Sequence, residues 1–410
     1  MAWRRIRIRQ VIRHLCQAFI AVQGLTLLAL AVVDHRRKKL RRPVAFPMVA
    51  PRSVTVGGSE VTVYSYGEHL YQDMLDAISQ AKTRVFFETF IWKGDEVGQA
   101  FKDALIEAAD RGVKVYVVFD EFANLVVPRS FYRFPPNIAV RRHPLIASGF
   151  RLPRNTGRDH RKILVVDDKV AFLGGYNIGN LYATDWRDTH ARLTGDIVWD
   201  MQNAFIDYWN LWSGRRRAAL PDFGGRTWQP DIRIHRNMPR NMVYPIRGMY
   251  LDAIDRASNH IYLTHAYFIP DEDMLNALVR AARRGVDVRI IIPAESNHIV
   301  ADWLSRGFYN TLLRAGVRLF LYQNAMVHAK TATIDGQWST IGTANIDRIS
   351  LLGNYEVNME VYNPEVARQM EEIFHTDSSN TKELTLPGWR RRHYMVKFSE
   401  TVLSPLRPLL

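Results

Sequence analysis

"HRKILVVD" at residues 160–167 and "HAKTATID" at residues 328–335 decide how this chain is read. Each octet carries His, Lys and Asp at one spacing, H-x-K-x4-D, and the two copies stand 168 residues apart. Residues two apart on a strand face the same side. His160 and Lys162 therefore project together, as do His328 and Lys330. The intervening "ILVV" and "TATI" read as buried strand. Asp167 and Asp335 have the opposite parity and lead into turns, "DDK" and "DGQ", which favours a structural role for them.

The agreement extends beyond the octets. Asn177 and Asn345 each lie 17 residues after the motif His, closing the small-residue turns "GGYN" and "GTAN". Asp188 and Glu356 each lie 28 residues after it. One such match is moderate evidence, but two copies in register through an Asn and an acid make coincidence a poor explanation.

The surrounding sequence repeats as well. "LDAISQAKTRVFFETFIW" (75–92) parallels "LDAIDRASNHIYLTHAYFIP" (251–270), and "ALIEAADRGVKVYVVFD" (104–120) parallels "ALVRAARRGVDVRIIIP" (277–293). Each half reads helix, strand, helix, strand. Gly112 and Gly285 stand where a helix C-cap is expected. Alternating helices and strands predict an α/β fold of two tandem halves, with mixed, mostly parallel sheets flanked by helices. We place an N-terminal segment at 1–45, the first half at 46–215, a linker rich in Arg, Pro and Gly at 216–241, the second half at 242–380 and a tail at 381–410.

The 410 residues are 47% hydrophobic, enough for a sizeable core, and carry a formal charge of +14. That charge points to an anionic partner: nucleic acid, an acidic membrane or a phosphate-bearing substrate. The one cysteine, Cys16, excludes a disulfide framework and a cysteine metal site. From Leu15 to Val33 no residue is charged, and as a helix this run spans about 28 Å, close to a bilayer core of about 30 Å. Basic residues flank it, with "RRKKLRR" (36–42) the denser cluster, which predicts an uncleaved anchor and a cytoplasmic body. An interfacial helix is the alternative.

The matched residues suit phosphoryl transfer. A Lys ammonium is a compact charge for phosphate oxygens. An Asn amide and turn N–H groups add donors. One His can attack phosphorus, and a second can protonate the leaving alkoxide and then deprotonate the incoming hydroxyl. A carboxylate beyond each His fixes its tautomer and favours the imidazolium. One half supplies only one His, so the halves must share one active site at their interface. The lysines supply positive charge, so no metal and no cofactor is called for. His190 and His265 lack matched partners and are read as structural.

With these residues in place, the chain resembles the phospholipase D superfamily over roughly residues 60–380. "WRDTHARLTG" (186–195), "ETFIW" (88–92), "GGYN", "GTANID" (342–347) and "NYE" (354–356) look most like bacterial cardiolipin synthases. The resemblance implies a membrane phosphatidyltransferase of the bacterial plasma membrane. It would form a phosphatidyl-histidine and pass the phosphatidyl group to phosphatidylglycerol, making cardiolipin and releasing glycerol; phosphatidylethanolamine is a further lipid to consider. The resemblance takes the paired motif, His160, Lys162, Asp167, His328, Lys330 and Asp335, as the catalytic set. His160 would be the nucleophile and His328 the general acid/base. Lys162, Lys330, Asn177 and Asn345 would bind phosphate, and Asp188 and Glu356 would orient the histidines. Asp188 stands where many superfamily members carry Glu. A single apolar N-terminal segment also departs from synthases with two.

Two further stretches suit lipid contact: the loop at 122–155, which interleaves aromatics with Arg, and the basic-then-apolar C-terminus from Trp389. The competing readings are a lipid hydrolase with the same intermediate, a nuclease, and a membrane scaffold with a dead site. The apolar N-terminus argues against the nuclease. The complete matched set argues against the scaffold.

Overall fold

The structure is a computed structural model that describes residues 2–40, 44–145, 157–211, 219–221, 230–392, 394–403 and 405. It contains two eight-stranded sheets. In order across the first run Arg52–Val56, Ser59–Tyr64, His190–Gly195, Val170–Gly174, Ile163–Val166, Arg84–Thr89, Lys114–Asp120 and Ile138–His143. Across the second run Ile232–Asn237, Glu356–Tyr362, Trp338–Gly342, Lys330–Ile334, His260–His265, Asp287–Pro293, Arg318–Tyr322 and Thr381–Leu384. Each motif strand sits mid-sheet, antiparallel to the aromatic strand of its own half.

The expectation of mostly parallel sheets is corrected. Parallel pairing within them is confined to Arg84–Thr89, Lys114–Asp120 and Ile138–His143, and to their counterparts His260–His265, Asp287–Pro293 and Arg318–Tyr322. These strands are separated by crossover segments long enough to return the chain to the same edge. The motif strands instead turn back through three-residue hairpins, and a short connection permits only antiparallel pairing. The turn residues Asp167, Asp168, Asp335 and Gly336 all have positive φ, the hand that suits such hairpins.

The reading of the motif strand as buried holds, for a visible reason. Ile163 and Val165 face a core shared between the halves, while Leu164 and Val166 face the outer core of the first half. A strand covered on both faces needs an unbroken apolar run. The shared core also takes Ala171 and Leu173 from one sheet, Ile341, Val357 and Met359 from the other, and the helix Val198–Leu211. The two halves are therefore one body with a continuous apolar interior. Gly112 and Gly285 follow the helices Glu96–Asp110 and Glu272–Arg283 with φ of +89° and +93°, as C-cap glycines do.

Two boundaries are also corrected. The linker at 216–241 includes Ile232–Asn237, which pairs with Glu356–Tyr362, so the second sheet begins inside it. The described part of the tail at 381–410 is built into the fold: Thr381–Leu384 extends the second sheet, and the helix Tyr394–Leu403 packs on the helix Ile299–Ala315. Residues 146–155 of the predicted lipid-contact loop lie outside the described residues, as do 212–218 and 222–229 of the linker region.

The N-terminal helix runs Ala2–Leu40, and its segment Cys16–Arg36 is long and apolar enough to cross a membrane. Its covered stripe is Gln23, Thr26, Leu27, Leu30 and Asp34, a helical spacing.

Candidate active site

Two small parallel bridges stitch the halves together and set the site between them. Met326–Val327 pairs with Trp186–Arg187, and Asp159 bridges Tyr355. The main-chain N–H of His328 donates to Arg187 O at 2.6 Å, and that of His160 donates to Tyr355 O at 3.1 Å. Each histidine is thus held by the residue immediately before the other half's acid.

The rings follow the backbone. His160 Nδ1 lies 2.9 Å from Glu356 Oε2, and His328 Nδ1 lies 2.6 Å from Asp188 Oδ2. The acid 28 residues after each His serves the histidine of the opposite half. With Nδ1–H donated to a carboxylate, Nε2 keeps the lone pair that attacks phosphorus or takes a proton. Phe90 meets the His160 ring edge-on at 4.7 Å between centroids, and Trp186 lies 5.1 Å from the His328 ring.

Lys162 and Lys330 are both buried, and each ammonium donates to the main-chain oxygen of the His two residues before it. Burial, then the proximity of Lys330, brings Lys162 down to about 7. Burial brings Lys330 down to about 8, against the opposing pull of Asp188 and Glu356. Burial, Lys162 and Lys330 hold His160 well below the ordinary imidazole value. Burial and Lys330 lower His328 to about 3. The cavity thus concentrates positive charge that an anion would relieve.

The two acids differ. Burial raises Glu356 to about 8, with Lys162 opposing. Burial pushes Asp188 up too, but Lys330 and His328 outweigh it, and its pKa falls below the ordinary value. Their supports differ in the same sense. Thr343 Oγ1 donates to Glu356 Oε2 at 2.5 Å. The equivalent residue in the first half is Gly175, where a Cβ would lie 2.0 Å from Asp188 Oδ1. The shorter acid sits close to the backbone and requires Gly; the longer one leaves room for a hydroxyl that holds it.

Asn177 accepts the Ile91 N–H on its Oδ1 at 3.1 Å, leaving its NH2 to offer an anion. Asn345 Oδ1 is buried and has no hydrogen-bond partner among the described residues. His190 and His265 are buried beside the site, and burial lowers both to about 3.

Asp167 and Asp335 are placed elsewhere, and their inclusion in the catalytic set is corrected. Asp167 accepts the N–H groups of Lys82, Thr83 and Arg84; Asp335 accepts those of Ser258, Asn259 and His260. Each clamps the start of the neighbouring strand, at the end of the motif strand remote from the histidines. Their opposite parity was the signal.

Sequence reasoning missed Thr343, whose matched position is Gly175, and a buried ion pair next to Asp188. Arg187 forks onto Asp377, with Nε at 2.8 Å from Oδ1 and Nη2 at 2.9 Å from Oδ2. This pair ties the first half's acid-bearing turn to the second half's helix Pro364–Ser378. Nothing local links residues 190 positions apart.

Fold and site define a two-half phospholipase D-like protein with one shared phosphoryl-transfer centre. Residues 74–208 and 250–378 match the family described as cardiolipin synthase, PLD-like domain. The major cardiolipin synthase ClsA of Bacillus subtilis is 32% identical over 366 residues, covering 86% of this chain and 76% of that protein. A cardiolipin synthase of Clostridium perfringens is 31% identical over 375 residues, covering 86% and 77%. The crystal structure of phosphatidylserine synthase from Haemophilus influenzae has the same fold, with a TM-score of 0.65 at 16% identity over 89% of this chain and 94% of that one. The chain belongs to the cardiolipin synthase family.

Proposed function

We propose that this protein is a phosphatidyltransferase that makes cardiolipin from two molecules of phosphatidylglycerol. The observation that carries the reading is the crossed pairing of His160 with Glu356 and of His328 with Asp188 around two buried lysines. Lys162, Lys330 and the Asn177 amide bind the phosphodiester anion. His160 Nε2 attacks phosphorus, the bond to the terminal glycerol breaks, and His328 gives that oxygen its proton. Glycerol leaves, and the phosphatidyl group is on His160. His328 then takes the proton of a second phosphatidylglycerol hydroxyl, whose oxygen attacks phosphorus and breaks the P–N bond. Cardiolipin leaves and His160 is regenerated.

Roles follow from the acids. An ionised Asp188 stabilises the imidazolium that the acid step needs, which suits His328. The bound phosphate anion offsets the lysine charges that otherwise disfavour that protonation. Glu356 orients His160, and a positive phospho-imidazole beside it would draw its raised pKa back down toward the carboxylate form. The Cys16–Arg36 helix anchors the protein, and the basic cluster from Arg36 puts the catalytic body on the cytoplasmic side.

The test is product analysis. Purified protein in phosphatidylglycerol liposomes, with and without phosphatidylethanolamine, is read by mass spectrometry. Cardiolipin that disappears in His160→Ala is the expected result. Phosphatidic acid alone means water is the acceptor and the protein is a hydrolase.

A further inference from the structure

The anchor helix does not stand apart from the catalytic body. Leu30 packs among Ile269, Ile299, Leu304 and Leu403, and the Gln23 side-chain amide donates to Val402 O at 3.0 Å. The rest of that helix presents Phe19, Ile20, Val22, Leu25, Leu28, Val32 and Val33 outward. Ile269 belongs to the same apolar cluster as Leu30, and it pairs directly with Asp347, the N-cap of the helix Arg348–Leu352. That helix exposes Ile349 and Leu352, each 38% accessible.

The path continues across the interface. A Cβ on Gly157 would lie 1.8 Å from Gly353 O, so the two segments touch there. Asn354 Oδ1 accepts the Arg158 N–H at 2.9 Å, and the Arg158 guanidinium lies 5.4 Å from the centre of the Phe122 ring. Phe122 opens a turn whose apolar side chains face outward: Phe122 and Leu125 are 57% accessible and Val126 is 81% accessible.

This turn is rigid. Asp120 Oδ1 accepts the N–H groups of Phe122 and Ala123. Asn124 Nδ2 donates to Phe90 O at 2.8 Å, and Asn124 Oδ1 accepts the Trp92 N–H at 2.8 Å. Phe90 is the residue whose ring walls His160. Three large apolar side chains held out on a fixed turn contribute nothing to the core. Beyond the contact of Phe122 with Arg158, they gain from a second apolar phase. Arg129 and Arg348, both exposed, flank them with positive charge.

We infer that the turn Phe122, Leu125, Val126 and the helix face Ile349, Leu352 form a docking surface for the acyl–headgroup boundary of an anionic phospholipid bilayer. It is linked to the anchor helix through the apolar cluster that holds Leu30, Ile299 and Ile269. The inference rests on the proposed function for its meaning: a lipid headgroup would enter the site from the leaflet on which the rim is seated. Apolar exposure selects a bilayer over a soluble anion or a nucleic acid, whose backbone offers nothing to Val126. Continuity with a helix able to cross a membrane selects it over a protein partner.

The test uses the full chain reconstituted in vesicles of phosphatidylglycerol and phosphatidylethanolamine that carry a shallow spin-labelled acyl chain. Cys16 is the only cysteine, so Cys16→Ser gives a background for single labelling. An environment-sensitive fluorophore is placed at Val126→Cys, at Leu352→Cys and, as control, at Lys169→Cys, an exposed site in the Asp167 turn remote from the histidines. Quenching at 126 and 352 but not at 169 is expected. Equal quenching at all three, or none at 126 and 352, overturns the surface.

A second measurement reads function. Phe122→Ser/Leu125→Ser/Val126→Ser should lower transfer from vesicle lipid by about tenfold while leaving transfer from dispersed short-chain phosphatidylglycerol within about twofold. Equal loss on both substrates also overturns it. Quenching without any lipid product would keep the docking surface and sink the phosphatidyltransferase reading. Product without quenching would do the reverse.

Discussion

Glu356, from the second half of the chain, holds Nδ1 of His160, from the first, at 2.9 Å. Its counterpart Asp188 holds His328 in the other direction at 2.6 Å. Neither half contains a complete His–acid pair, so the pairs form only where the two halves meet. Glu356→Gln and Asp188→Asn should each lower transfer about 100- to 10,000-fold, the range for a disturbed general acid–base pair. The two defects should separate on a phosphodiester with a p-nitrophenol leaving group, which needs no proton. His328→Ala should then still release a burst of one p-nitrophenol per site, and His160→Ala none. A burst in His160→Ala would reverse the roles given to the two histidines.

Lys162 near 7 and Lys330 near 8 give the free enzyme an alkaline limit. A phosphate anion binds the protonated ammonium groups, so rising pH removes binding as it passes through these values. Binding in turn raises both pKa values, by linkage. kcat/KM, which reports the free enzyme, should therefore fall above about pH 7–8, while kcat holds to higher pH. Lys330→Arg removes one of the two titrating ammonium groups and leaves Lys162 beside a permanent charge, so the fall in kcat/KM should become shallower while its onset stays near 7. A pH–rate series on both parameters checks this, and a kcat/KM that stays level through the alkaline range would exclude it.

Arg187 and Asp377 are nearly inaccessible, at 1% and 2% of their side-chain surface. Removing one partner leaves a buried charge, which costs about 3–5 kcal/mol. Arg187→Ala should lower Tm and, through the displaced Asp188, transfer activity. Arg187→Lys should recover part of the stability but little activity, because an ammonium does not reproduce the two-pronged contact. Full activity in Arg187→Ala would show that Asp188 is held by other means.

Asp167→Ala and Asp335→Ala test the placement of the motif aspartates. Each removes an acceptor for three backbone N–H groups and should cost about 1–3 kcal/mol of stability. Thermal melts should shift down while kcat, measured well below the transition, stays within about twofold. Loss of kcat in a folded variant would return these residues to the catalytic set.

Much of this molecule was readable along the chain. The spacing from His160 to Lys162 and Asp188, repeated from His328, singled out the histidines, lysines and acids that the fold brings together, because strand and turn geometry are local. The "ILVV" run declared a strand covered on both faces, and Gly112 and Gly285 marked helix ends through a backbone preference each residue carries by itself. Parity alone also set Asp167 and Asp335 apart from their motifs.

What the chain could not declare depends on how two surfaces meet. Sheet direction followed from which connections hold a helix and which are three-residue hairpins, and motif spacing does not distinguish these. The exchange of Glu356 and Asp188 between the halves, the Arg187–Asp377 tie and the seating of the anchor helix on the helices Ile299–Ala315 and Tyr394–Leu403 all join residues that are remote in sequence. The anchor helix is seated by a separate cluster around Leu30, and the first two are decided by burial of one apolar core between two sheets. That burial brings the ends of the motif strands together and leaves each histidine nearest the other half's acid.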